Sequence, residues 1–212
     1  MTIEALLARS HALHEAVVRI IGDALPYPGK RFAVAMDACD VAFEHASAVR
    51  SLVGTGMPIS ATALLRVQFE ALTRAMWLLY AATDSDIENL SSPLAEETAK
   101  AANKLPMAAE MLKALEKHGP PAAVRPLTQF RVMSASPMNS FIHSGVHSLT
   151  RQREGFPAPL LDQIIRSSNG FNTMCAMLVA VLTGDASWIA EVRKIQVLFL
   201  NVLPPLDETK GS

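Results

Sequence analysis

Apolar residues recur at intervals of three and four positions along almost the whole chain, and no run of six residues alternates strictly between apolar and polar. This spacing is typical of amphipathic α-helices, whereas strands show a period of two. Clusters of proline and glycine interrupt the pattern, because proline cannot continue a helix and glycine favours turns. The sequence therefore predicts an all-α protein, a single-domain antiparallel bundle of about seven or eight helices joined by short loops.

The apolar runs and the breaks between them give the predicted bounds. Helices are expected over residues 3–24, 30–53, 59–82, 105–118, 122–133, 137–152, 160–183 and 186–203. Ser92 before Pro93 is typical of a helix N-cap with proline at the first helical position. A bend is expected at Pro126, and an interruption near residues 168–170. One domain is expected over residues 1–205, followed by a polar tail over 206–212.

The third predicted helix has apolar residues on more than half of its circumference, which places it near the centre of the bundle. Its apolar stripes are Leu65, Phe69, Leu72, Met76 and Leu79, and Leu64, Val67, Ala71, Ala75 and Leu78. Arg66, Glu70 and Arg74 nevertheless follow one another four positions apart, and Trp77 continues the line. Residues four apart are neighbours on a helix, so Glu70 is positioned to bind both arginines.

Two interpretations of Arg66, Glu70 and Arg74 are open. The first is a structural ladder of ion pairs on a half-exposed face. The second is a partly buried site that holds an anion, a substrate carboxylate or a phosphate, with Glu70 orienting the two arginines.

A second candidate segment runs from Asn139 to Arg151. On one continuous helix, Asn139, His143 and His147 would line up four positions apart, with serines beside them. A solvated face usually carries Lys and Glu, so a face of Asn, His and Ser indicates contact with another polar surface or a ligand. Gly145 lies between the two histidines and would let another backbone or a ligand approach.

Three interpretations of this segment are open. The histidines satisfy buried polar partners, or His143 is a general acid or base near neutral pH. Alternatively, His143 and His147 ligate a metal at the i, i+4 spacing. The Glu of a His-Glu-x-x-His motif is absent, because Ser144 occupies its position.

Composition excludes several classes of protein. Half of the 212 residues are hydrophobic and 18% are charged, which excludes a disordered chain. The net charge of −1 argues against a strongly basic nucleic-acid domain. The balance from residue 119 to 170 is five arginines against two acids, or +3, so the histidines lie in a basic region. Cys39 and Cys175 are the two cysteines, and no Cys-x-x-Cys pair indicates a zinc knuckle.

The N-terminal residues lack the basic region of a secretory signal. The most apolar stretch, residues 171–190, is divided by Gly184 and Asp185, which favours a buried helix over a membrane span. We therefore expect a cytoplasmic, bacterial-type protein with no membrane partner and no cofactor. The apolar C-terminal helices, with Val197 and Leu198 among their residues, predict a homodimer.

Met138-Asn139-x-x-x-His143 resembles the Arg-Asn-x-x-x-His motif of the HEPN superfamily (higher eukaryotes and prokaryotes nucleotide-binding), with methionine in place of arginine. Arg66-x-x-x-Glu70 followed by a later His is similar to helical families related to abortive-infection proteins. The resemblance implies a small, often dimeric helical bundle. It also implies a role in cellular defence or stress, with Asn139 and His143 at a site for RNA phosphates. Met138 does not carry over, because a thioether cannot neutralise a phosphorane oxygen.

These observations lead to three functional hypotheses. The first is a HEPN-like binding or regulatory module for RNA or a small anionic ligand, with Arg66, Glu70, Arg74 and His147 around the ligand. The second is a metal-independent ribonuclease in which His143 and Asn139 are catalytic. The third is a metal-binding bundle that uses His143 and His147.

Overall fold

A computed structural model describes residues 1–102 and 105–205, and within these ranges it contains α-helices, one short 3-10 helix and no strand. The helices are α1 (Ile3–Ile21), α2 (Lys30–Gly54), α3 (Pro58–Tyr80), α4 (Asp84–Ser91), α5 (Glu96–Ala102), α6 (Ala108–His118), α7 (Pro121–Ile142), α8 (Val146–Glu154), α9 (Ala158–Leu182) and α10 (Ala186–Leu198), and the 3-10 helix is Leu200–Val202. The all-α prediction is confirmed. The predicted count of seven or eight is wrong for the described residues, because α4 and α5 are too short and polar to show an apolar period.

Ser92 does not cap the start of a helix. It ends α4, where its N–H and its Oγ both donate to the Glu88 carbonyl. The N-cap in this region is Thr83, whose side chain accepts from the Asp86 N–H while the Asp86 carboxylate accepts from the Thr83 N–H. This reciprocal capping box starts α4 without help from proline.

Helix α7 passes through Pro126, where the sequence predicts a bend, and through Pro137, where it predicts the start of a separate helix. Each proline removes a backbone donor, so the carbonyl four residues earlier loses its partner. Those carbonyls belong to Ala122 and Met133, which are exposed residues, as are Pro126 and Pro137 themselves. Because water can bind the freed carbonyls, the helix continues.

Helix α9 is likewise continuous through residues 168–170, where an interruption was predicted. Ser168 and Asn169 are fully buried and bind neighbouring elements. Gly170 is required by packing, because a Cβ there would lie 2.9 Å from the ring of Pro204. Polar residues that usually mark a loop are here part of the core.

Helix α3 is central, as its apolar pattern predicts, since it packs against α2, α6, α7 and α9. Leu65, Phe69, Leu72 and Met76 are all buried in one hydrophobic core that also includes residues of α1, α2 and α9. The connection from α2 to α3 spans only residues 55–57, so α3 folds back along α2. The faces of α3 that are left partly exposed carry Arg66, Glu70 and Arg74.

The C-terminal residues and the exposed apolar side chains bear on the expected membrane and dimer contacts. No helix among the described residues combines the length and the apolar character that crossing a membrane requires. The predicted polar tail, residues 206–212, lies outside the described residues. Of the apolar side chains that predict a homodimer, Val197 and Leu198 are exposed, at 70% and 62%, whereas Phe199 is buried in the chain's own core.

Candidate functional site

The ion pair on α3 involves one arginine instead of two. Arg66 Nε donates to Glu70 Oε1 at 2.7 Å, and the two side chains are 24% and 38% exposed. Arg74 has no hydrogen bond or ion pair in the described ranges, so the expected second step of the ladder is absent. Trp77, the next residue in the line, is buried in the core.

The guanidinium of Arg66 has donor capacity left over. Its Nη1 atom is buried and has no hydrogen-bond partner within residues 1–102 and 105–205. Glu70 neutralises one of the two arginines, which leaves this face of α3 with an excess of one positive charge. A guanidinium with unused donors binds a carboxylate or a phosphate more readily than one already paired on both edges.

Replacing Glu70 with alanine is expected to lower the free energy of unfolding by only about 1 kcal/mol, because the pair is partly solvated. Urea unfolding followed by circular dichroism measures this change. Glu44→Ala, on an exposed face of α2, is the matched control and should have a smaller effect. A loss of 3 kcal/mol or more, roughly the value for a fully buried pair, would show that Glu70 compensates a buried charge.

The segment from Asn139 to Arg151 is not one helix, which corrects the sequence prediction. Helix α7 ends at Ile142, and His143 is its C-cap, with its N–H donating to the Asn139 carbonyl. Ser144 adopts a left-handed conformation with φ of 51°, and α8 begins only at Val146. Asn139, His143 and His147 therefore do not form a continuous stripe.

The turn between α7 and α8 is held by Ser140. Its Oγ accepts from the His147 N–H at 2.8 Å, and its carbonyl accepts from the Gly145 N–H at 2.7 Å. A Cβ on Gly145 would lie 2.7 Å from Ser140 Oγ. Gly145 therefore allows Ser140 of the same chain to approach closely. The Ser140 hydroxyl also accepts a backbone N–H from the first turn of α8.

The three polar side chains of this segment are accessible to solvent. Asn139, His143 and His147 are all exposed, and His147 stacks on Phe141 with ring centroids 6.4 Å apart. No hydrogen bond to the His143 ring exists within the described part of the chain. Asn139 and His143 are free to contact a ligand, whereas one face of His147 is covered by the phenyl ring.

A metal centre at these histidines finds no support in the geometry. Among the described residues there is no group of three or more His, Cys, Asp or Glu side chains that could hold a metal ion. His143 and His147 belong to different helices, so the i, i+4 spacing that suggested the site does not apply to them.

Aromatic contacts bring α3 and α7 together. Phe69 of α3 lies 5.2 Å from Phe130 of α7, and both contact Phe171 of α9. Helix α3 also contacts α8. Yet no hydrogen bond or ion pair within residues 1–102 and 105–205 joins the charged residues of α3 to Asn139, His143 or His147. The two candidate groups lie on neighbouring helices without binding each other directly.

The structure reveals a second polar cluster that the sequence analysis missed. It comprises His14 of α1, Ser47 and Arg50 of α2, and Asn172 of α9. Arg50 is only 8% exposed, and its Nη2 donates to Ser47 Oγ at 3.0 Å. Ser47 Oγ lies 3.4 Å from His14 Nε2, and Asn172 is next to His14. Arg50 forms no ion pair in the described residues.

Several polar atoms of this cluster are unsatisfied. Arg50 Nη1, His14 Nδ1 and both side-chain polar atoms of Asn172 are buried without a hydrogen-bond partner of good geometry. Burial lowers the pKa of Arg50 to about 10. Burial, and secondarily the charge of Arg50, lower the pKa of His14 from 6.5 to about 4. At neutral pH the cluster therefore holds one buried positive charge beside a neutral imidazole.

A pattern in α2 could have indicated this cluster. Arg50 continues a series of small and apolar buried residues that includes Ala42, Ala46, Val49 and Val53. A cation inside such a series is a candidate buried charge. The polar residues of α9 instead predict an interruption at residues 168–170, just before Asn172.

The lowered pKa of His14 predicts a pH-dependent stability. The unfolded chain binds a proton at His14 near pH 6.5, but the folded protein does so only near pH 4. The contribution of neutral His14 to the free energy of unfolding is therefore fully present above pH 6.5 and falls as the pH drops towards 4. At pH 5 the loss is about 1 kcal/mol, after allowing for solvent around the half-buried ring. The difference in unfolding free energy between pH 8 and about 5 should shrink by that amount in His14→Gln. His118→Gln, which removes an exposed histidine at the end of α6, should leave it unchanged.

The comparisons with known proteins identify a family. Residues 39–205, more than three quarters of the chain, match DUF6988, a family of unknown function. The chain belongs to this family. The matched range contains α3, α7 and α8 complete. No curated protein and no solved structure matched the chain.

Proposed function

We propose that this DUF6988 protein is a HEPN-like binding module that holds phosphate groups of RNA, or a small anionic ligand, on the surface formed by α3, α7 and α8. The observation that carries the proposal is the unused donor capacity of α3. Arg74 is partly exposed and has no partner among the described residues, and in the same part of the chain the buried Nη1 of Arg66 has no acceptor. Guanidinium groups bind phosphate oxygens through paired N–H donors, which favours a phosphate as the partner of Arg74.

The neighbouring surface has the charge that such a ligand needs. Arg131 is exposed on α7, directly after the Phe130 that packs against α3. On α8, Arg151 pairs with Glu154, whereas Arg153 is exposed without an ion pair in the described ranges. Exposed cations on neighbouring helices attract a polyanion over several ångströms, and salt weakens that attraction.

Binding without cleavage is the form of the proposal that the geometry supports best. The HEPN motif would place an arginine where this chain has Met138, and Met138 is 5% exposed and belongs to the core. That position therefore supplies no charge to the surface. His143 is exposed and could exchange a proton with a ligand, which keeps the ribonuclease alternative testable.

A homodimer remains part of the proposal. Ile142, Val146 and Leu149 are exposed apolar residues around His143, at 37%, 69% and 58%. A second copy of the chain that covered them would bring two His143 side chains towards one another. The HEPN resemblance implies the same arrangement.

Fluorescence anisotropy with a labelled single-stranded RNA of about 12 nucleotides tests the proposal. Three phosphate contacts, from Arg66, Arg74 and Arg131, predict that raising salt from about 50 to 200 mM weakens binding about 20-fold. Binding that is absent at low salt, or insensitive to salt, would contradict the proposal. The same RNA should remain intact in EDTA. Cleavage that disappears in His143→Ala would establish the ribonuclease alternative instead.

A further inference from the structure

A groove lies between α1 and α2, with Val179 of α9 as its floor. One cavity of this groove has a volume of about 250 Å³. The walls are mostly apolar, formed by side chains that include Val17, Ile21, Met36, Phe43 and Val179. Val18 borders this cavity and also a shallow open pocket lined by His14, Glu15 and Arg19. The apolar cavity and the pocket beside His14 therefore share Val18 as a common border.

All three helices change from apolar to polar in the same direction along this groove. In α1, His14 precedes the cavity residues by one turn, and in α9, Asn172 precedes Val179 by two turns. In α2, which runs the opposite way, Ser47 and Arg50 follow Phe43 at helical spacing. Helical spacing thus places the polar cluster of His14, Ser47, Arg50 and Asn172 beyond one end of the residues that line the apolar cavity.

Charge distinguishes the two ends of the groove. Arg50 is a buried cation with one neutral hydrogen-bond partner, and stripping a cation of water without a counter-charge is unfavourable. At the apolar end, Asp40 borders the cavity. Burial and the nearby Asp37 raise the pKa of Asp40, which marks that end as unfavourable for further negative charge. At the mouth, Glu15 is paired with His11, and Arg19 adds a second cation.

We propose that this groove binds a monocarboxylate with a short apolar tail, its carboxylate at Arg50 and Ser47 and its tail in the cavity. One buried cation beside a neutral imidazole matches a single negative charge, whereas a phosphate monoester would bring nearly two. An apolar cavity of about 150 Å³ is known to hold benzene. A volume of about 250 Å³ therefore has room for a tail of roughly eight carbon atoms or one aromatic ring.

Isothermal titration calorimetry with octanoate, and separately with octanol and hexyl phosphate, tests this assignment. Octanoate should bind with one molecule per protein chain. Octanol should bind at least about tenfold more weakly, because it lacks the negative charge that neutralises Arg50. Hexyl phosphate should also bind more weakly than octanoate. Equal affinity for octanoate and octanol would overturn the carboxylate site, as would absence of octanoate binding. Tighter binding of hexyl phosphate would overturn the assignment of a monoanion.

Two variants separate binding from folding. Arg50→Met should weaken octanoate binding at least about tenfold while leaving the melting temperature unchanged or higher, since an uncompensated buried charge is removed. Val18→Phe fills the groove at a side chain that is 49% exposed and should also weaken binding. Its matched control is Val41→Phe, at a residue 48% exposed on α2 that does not line the cavity. Octanoate affinity that stays at the wild-type level in Val18→Phe, or falls equally in both valine variants, would overturn the proposal.

Discussion

Gln68→Ala is expected to lower the free energy of unfolding by about 3 kcal/mol, one of the largest effects of a single substitution in this protein. Gln68 and Ser168 are fully buried and join α3 to α9 by a reciprocal pair. Gln68 Nε2 donates to the Ser168 carbonyl at 3.0 Å, and Ser168 Oγ donates to Gln68 Oε1 at 2.7 Å. Alanine leaves the Ser168 hydroxyl buried without its acceptor and also creates a cavity, whereas the Ser168 carbonyl keeps its bond within α9.

Thermal and urea unfolding measure this effect. For a chain of this length the loss corresponds to a melting temperature lower by about 9 °C. Gln163→Ala, an exposed glutamine of α9, is the control and should change stability by less than about 0.5 kcal/mol. The double variant Gln68→Leu, Ser168→Ala removes the paired side-chain groups together and should be much less destabilising than Gln68→Ala. Equal losses in the two variants would contradict this account, because the double variant leaves neither a large cavity nor an unpaired serine hydroxyl.

The double variant Arg66→Gln, Arg74→Gln is expected to weaken RNA binding about 30-fold, or about 2 kcal/mol, because two charge-assisted contacts to phosphate are lost. The RNA affinity of this variant should also depend less strongly on salt concentration. Between about 50 and 200 mM salt, affinity should fall only about threefold instead of about 20-fold, since one of three phosphate contacts remains.

The matched control for this variant is Arg193→Gln, Lys194→Gln, which removes two exposed cations from α10. It changes the net charge equally but at a surface outside the proposed site. An equal loss of affinity in both double variants would show that RNA responds to total charge alone, and it would contradict a site on α3.

The sequence was sufficient for the long helices because their burial follows the helical period. Helix α3 is central and buries Leu65, Phe69 and Leu72, as predicted. The sequence was insufficient where a local signal, such as a proline, competes with the burial or exposure of the surrounding residues. A helix boundary is predicted at Pro137, but the carbonyl that this proline frees belongs to the exposed Met133, so water can bind it and the helix continues.

The candidate site illustrates the same limit at the level of side chains. Helical spacing correctly placed Glu70 next to Arg66, but it did not determine which of the two arginines would bind the Glu70 carboxylate. Nor did it locate the turn at Ser144, whose left-handed backbone separates His143 from His147. Both outcomes depend on competition between alternative partners, which spacing does not describe.

The buried cluster was missed for a related reason. Its members are spread over three helices, with His14, Arg50 and Asn172 far apart in the chain. No local motif connects them, and only the packing of α1 and α2 on α9 brings them together. Asn172 was assigned next to a predicted helix break, because buried Asn and Ser in the middle of a helix have the same composition as a turn.

The most direct test of the central claim is an NMR titration of adenosine monophosphate into protein labelled with ¹⁵N at arginine. The account predicts that the Nε–H signals of Arg66 and Arg74 shift together with one apparent dissociation constant, while the signal of Arg193 stays in place. Shifts confined to Arg193 and other exposed arginines, or an absence of saturation at Arg66 and Arg74, would contradict a phosphate site on α3.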